Sequence, residues 1–146
     1  MNGLLIETDL LIDFLLTPHD EASLFRRLLE LTPCYSTFLN AAELYGAARS
    51  DEERRMVDRP LFGLKILGAS SRYAKTIGSV LSSEGIGGDH RIAIIAGMAI
   101  ESSLPVITER HFEIYAGIPG LDVIRASVLR QSADREALKS LLAPHL

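Results

Sequence analysis

Short apolar, β-prone runs recur along this chain, and each is followed by a stretch with helical spacing. The runs are "GLLI" from Gly3 to Ile6, "PCYST", "GLKIL", "LPVIT" and "LDVIRA". Strands joined through helices pair in parallel, because a parallel pair needs a crossover far longer than a hairpin. That alternation leaves few options and predicts an α/β fold: a three-layer α/β/α sandwich with a central parallel sheet of four or five strands. A helix is expected over Asp9–Leu16 after a Thr8 cap. In "TPHDEASLFRRLLELT", Asp20 and Glu21 suit a helix start, and Leu24, Leu28, Leu29 and Leu31 lie near one face. "FLNAAELYGAARS" reads as a helix, and "DEERRMVDRPLF" as a charged helix that Pro60 should end. "SSRYAKTIGSVLSSEG" is helical, with Tyr73, Ile77, Val80 and Leu81 spaced for burial and Gly85 as its stop. A largely apolar helix begins near Asp89, and "SADREALKSLL" forms a last helix capped by Ser132. No linker, repeat or low-complexity stretch divides residues 1–146, which are expected to form a single domain.

With 146 residues, 47% of them hydrophobic, such a chain can bury a core without disulfides or a structural metal. Its single cysteine, Cys34, has no partner for an intrachain disulfide, and zinc-ligand spacing is absent. No apolar run reaches membrane-spanning length, and the N-terminus lacks the basic and small-residue pattern of a signal peptide. These features point to a cytoplasmic protein with no membrane partner. The net charge of −4 supplies no global field for nucleic acid, which leaves only a local basic rim for that purpose.

Acidic residues interrupt the apolar pattern in particular places. "LLIETDLLIDFLL" carries Glu7, Asp9 and Asp13 in a segment otherwise built for burial. A buried carboxylate is costly unless it is paired, hydrogen-bonded or metal-bound. Glu7 ends the first strand and Glu109 follows the fourth. Glu43 and Asp89 lie on helices that start from the same sheet edge, and ligands bind at the carboxyl edge of open parallel sheets. Carboxylates converging there would repel one another, and Mg2+ or Mn2+ would relieve that repulsion through oxygen ligands. Each acid also has a plainer role. Glu43 stands three residues after Asn40, at capping-box spacing. Asp89 suits an N-cap, and Glu109 an exposed first turn. Asp13 is expected at a solvated edge.

Read in order, the blocks "LLIETDLLIDFLL", "STFLNAAELYGAA", "GGDHRIAIIAGMAIESSLPVIT" and "ERHF…IPGLDVI" resemble the PIN domain family. That family comprises metal-dependent nucleases and includes the toxin halves of VapBC toxin–antitoxin pairs. The resemblance implies Glu7, Glu43, Asp89 and Glu109 as the catalytic and metal-holding acids, with Mg2+ or Mn2+ as cofactor. It places Asp9, Thr37 and Thr108 in supporting positions. Arg91 and Arg110, beside two of the acids, are candidates for substrate phosphates. The first acid is usually Asp in this family, and here it is Glu7.

Three readings follow. The first is a PIN-type ribonuclease, a toxin component that hydrolyses RNA with a carboxylate-bound cation and pairs with a VapB-type antitoxin. The second is a catalytically inactive PIN module that binds RNA or a protein partner, a reading that Glu7 favours. The third, an unrelated doubly wound domain, lacks a phosphate-binding glycine loop, since "GIGGD" has no Walker lysine. A homodimer is expected through Tyr45, Met56, Leu61 and Phe62.

Overall fold

A computed structural model describes residues 2–146. Strand β1 (Leu4–Ile6) leads into helices α1 (Thr8–Leu16) and α2 (Leu24–Leu29). Strand β2 (Cys34–Thr37) is followed by α3 (Phe38–Ala47) and α4 (Asp51–Phe62), and β3 (Lys65–Leu67) by α5 (Ala74–Leu81) and α6 (His90–Glu101). Strand β4 (Val106–Thr108), α7 (Phe112–Ala116), β5 (Val123–Arg125), α8 (Ala126–Arg130) and α9 (Arg135–Leu142) complete the chain.

The five strands form one parallel sheet in the order β3-β2-β1-β4-β5. Leu5 stands between Tyr35 on one side and Val106 on the other. Because strand side chains alternate, β1 serves two cores at once. Leu4 and Ile6 join Phe25, Leu28, Leu44 and Leu138 on one face. Leu5 joins Val80, Ile92, Ile95 and Tyr115 on the other. This is why β1 reads as unbroken hydrophobicity: a strand covered on both faces has no polar side. Helices α5 and α6 pack closely at Gly97, where a Cβ would come within 2.5 Å of Ile77.

The chain winds from β1 outward to β2 and β3, then returns to the far side of β1 for β4 and β5. The switch in direction lies between β1 and β4, where helices leave the sheet toward opposite faces and open a crevice at its carboxyl edge. Glu7, Thr37 and Thr108 all stand at that edge, at or just beyond the ends of β1, β2 and β4.

Several boundaries differ from the sequence reading. Thr8 is the first residue of α1, and Glu7 is the cap, its carboxylate accepting from the Thr8 amide at 2.8 Å. Helix α2 starts at Leu24 behind a Ser23 cap rather than at Asp20 or Glu21. Pro60 lies inside α4, which runs on to Phe62 before Gly63. So near the end, proline removes one amide bond without leaving a long stretch of helix to break. Asp134, not Ser132, caps α9; Ser132 instead receives the Arg27 guanidinium at 2.9 Å. Tyr73 and Val80 are buried as expected, while Ile77 and Leu81 are only partly covered. Among the described residues no helix is long and apolar enough to cross a membrane.

Candidate acidic site

Glu7 follows a strand whose residues are all fully covered, and its own side chain is 0% exposed. Five donors meet its two oxygens. Oε1 accepts from the Thr8 amide at 2.8 Å, Asn40 Nδ2 at 2.8 Å and Arg91 Nη2 at 2.6 Å. Oε2 accepts from Arg91 Nη1 at 2.8 Å and the Tyr115 hydroxyl at 2.9 Å. Glu43, on α3, takes the other edge of the same guanidinium: Nε reaches Oε2 at 2.6 Å and Nη2 reaches Oε1 at 3.0 Å. The Thr8 hydroxyl also donates to Glu43 Oε1 at 2.8 Å. One planar cation thus holds two carboxylates through the fork geometry that suits arginine better than lysine.

The neighbours of this pair are themselves oriented. Thr37 caps α3 in a capping box whose third residue is Asn40, so that box is Thr37–Asn40 and not Asn40–Glu43. The Thr37 amide and hydroxyl donate to Asn40 Oδ1 at 3.1 and 2.6 Å, which turns Asn40 Nδ2 toward Glu7. Burial opposes ionisation of Glu43, but hydrogen bonds from Arg91 and Thr8, with the Arg91 charge, hold its pKa below the usual carboxylate value. Burial lowers the Arg91 pKa, and both glutamates more than offset that and raise it. Burial and the adjacent Glu7 charge push the Tyr115 phenol well above its ordinary value, so it stays a donor.

A second acidic pair stands across the edge. Asp9 accepts from the Thr108 hydroxyl at 3.0 Å and from the amides of Glu109 and Arg110 at 2.9 and 3.0 Å. Glu109 accepts from the Ser127 amide, in the first turn of α8, at 2.7 Å and lies 3.5 Å from Arg125. Thr8, Asp9, Ile12, Glu43, Arg91, Arg110 and His111 line an open cleft of about 380 Å³.

Structure comparisons agree on the architecture. A chain of the Rickettsia felis VapBC2 complex bound to a promoter DNA fragment superposes with a TM-score of 0.69 at 21% identity, over 84% of this chain and 97% of that one. A chain of DNA-bound VapBC from Salmonella typhimurium gives 0.69 at 21%, over 86% and 98%. A chain of VapBC-5 from Mycobacterium tuberculosis gives 0.58 at 20%, over 86% and 99%. The chain has the VapC PIN-domain fold. No protein-family model and no curated protein sequence matches it.

Within this PIN fold, the expected ligands divide. Glu7 and Glu43 come together, with Arg91 between them. Asp89 is exposed and caps α6 through the Ile92 amide at 3.1 Å. Glu109 is committed to Ser127 and Arg125. No three His, Cys, Asp or Glu residues among those described form a group able to hold a metal ion. Magnesium and manganese need several free oxygens at short range, and the Glu7 and Glu43 oxygens already face nitrogen and hydroxyl donors. As folded, this donor set does not fit a divalent cation. Arg91, a candidate for substrate phosphate, has its guanidinium engaged by carboxylates, whereas Arg110 lines the cleft. Thr37 and Thr108 stand among these contacts: Thr37 bonds Asn40, and Thr108 bonds Asp9. Tyr115 and Arg125 carry no spacing signal in the sequence, where Asn40 reads only as a helix cap.

Proposed function

We propose that this chain is a VapC-like PIN module that works by holding a protein partner of the VapB antitoxin type. The observation that carries this reading over hydrolysis is the engagement of both Glu7 and Glu43 by Arg91. A surface suited to a partner also exists. Ile12, Leu15, Leu16, Leu44, Met56 and Val57 line an open groove of about 310 Å³ between α1, α3 and α4. Leu16 there is 79% exposed and Ile12, on the same helix, 42%, so the groove presents neighbouring apolar side chains to solvent. The net charge of −4 favours a protein over a nucleic acid as the held molecule. A homodimer is part of this reading, with Tyr45, Met56 and Phe62 exposed on α3 and α4, while Leu61 packs against the core.

The test is co-expression with a candidate antitoxin of the VapB type. A stable complex on size exclusion that Leu16→Glu and Met56→Glu both disrupt is the expected result. A complex indifferent to both changes would reject the groove.

The second reading is a ribonuclease, a toxin component hydrolysing RNA with Mg2+ or Mn2+. The 380 Å³ cleft favours it, since Glu43 is 31% exposed there and Arg110 and His111 stand beside it. RNA cleavage that requires either metal, stops with chelator and disappears in Glu43→Gln would establish this reading in place of the first.

A further inference from the structure

We infer that Arg91 is the resident cation of the acidic site, bridging Glu7 and Glu43 so that, with the neutral donors around them, the folded chain neither needs nor takes a divalent ion between them. This rests on the same Arg91 engagement that favours the partner reading over hydrolysis, but it is tested by metal binding at the acidic site, whereas partner binding is tested at the groove.

Glu7 is fully buried and Glu43 about one-third exposed, and both reach one guanidinium at 2.6 Å. Two carboxylates this close repel unless a cation lies between them. Arg91 supplies one that cannot be deprotonated at ordinary pH and that is fixed to α6. Its remaining company is equally complete, since Asn40, Tyr115, the Thr8 amide and the Thr8 hydroxyl take up further glutamate lone pairs. A metal entering here must displace the guanidinium and leave it without these partners, although only 25% of the Arg91 side chain is exposed. An unpaired, partly buried arginine is a large penalty against entry. The residue lies two positions after Asp89, and residues two apart on a helix face in different directions. Arg91 therefore reaches the glutamates while Asp89 remains at the exposed cap.

The test uses the purified chain and manganese alone, with bound Mn2+ counted by electron paramagnetic resonance and stability followed by thermal unfolding. The wild-type protein should show no site that Glu7→Gln or Glu43→Gln abolishes, and its melting temperature should not respond to Mn2+, Mg2+ or chelator. Arg91→Met should lower the melting temperature by several degrees and create a Mn2+ site. Manganese at a hundredfold excess over its dissociation constant should then restore about 5–10 °C. If Arg91→Met does not fold, Arg91→Gln carries the same comparison, because glutamine still donates to a glutamate but brings no charge. Stoichiometric Mn2+ binding by the wild type that either glutamine variant removes would overturn the inference. So would a folded Arg91 variant that gains no Mn2+ site although both glutamates remain.

Discussion

Two pairs of acids occupy the same sheet edge and are satisfied by different means. Glu7 and Glu43 meet a side-chain cation, Arg91, brought in from α6. Asp9 and Glu109 mainly meet backbone amides, those of Glu109, Arg110 and Ser127. Amides belong to the main chain and shape it: Asp9 ties α1 to the turn after β4, and Glu109 ties that turn to the start of α8. An arginine side chain is a replaceable partner, and its removal leaves charge behind rather than a loose turn. The first pair is therefore an electrostatic device and the second an architectural one.

The largest test of that contrast is Arg91→Met. It strands a buried carboxylate, and unfolding in urea should show a loss of about 3 kcal/mol or more. If the loss is negligible, Glu7 is not held as a charged partner and the contrast fails. Asp9→Ala comes next, at about 2–3 kcal/mol, because it leaves the Thr108 hydroxyl and two amides short of an acceptor. Its particular signature should be faster hydrogen exchange at Glu109 and Arg110, with exchange around Arg91 unchanged. Glu109→Gln should cost under about 1 kcal/mol, since the half-exposed Arg125 retains Glu113 and the Gln oxygen can still accept from Ser127.

The smallest effect is on pH dependence. Glu43 has a lower pKa folded than unfolded, so the unfolded chain binds the proton more readily. Its stabilisation is fully present above the ordinary carboxylate pKa of 4.5 and is lost as pH falls through the lowered folded value. Wild type should thus lose stability more steeply below pH 4.5 than Glu43→Gln in acid-unfolding curves. Curves of equal slope would show that Arg91 does not favour the charged form of Glu43.

Much of the architecture was legible in order along the chain. "GLLI", "PCYST", "GLKIL", "LPVIT" and "LDVIRA" all became strands, because short β-prone runs between helices have little alternative but a parallel sheet. Asp89 as a cap was legible for a similar reason: capping depends on a residue and the three that follow it. Pro60 was misread because proline's cost depends on how much helix remains beyond it, and only Leu61 and Phe62 do.

The sequence by itself thus determined the alternation, the two-faced burial of β1 and the placing of Glu7 and Glu109 at or beyond strand ends. These follow from local spacing, in which each residue's role depends on near neighbours. Only the tertiary structure decided what the acids meet. Glu7 and Arg91 are separated by 84 residues, and Asp9 and Arg110 by 101. No local pattern records such a pairing, because it arises when α6 and the turn after β4 are brought to the end of β1. There, a cation fixed to the fold and a row of backbone amides reach the carboxylates, and Glu7, the fully buried one, could not remain without such partners.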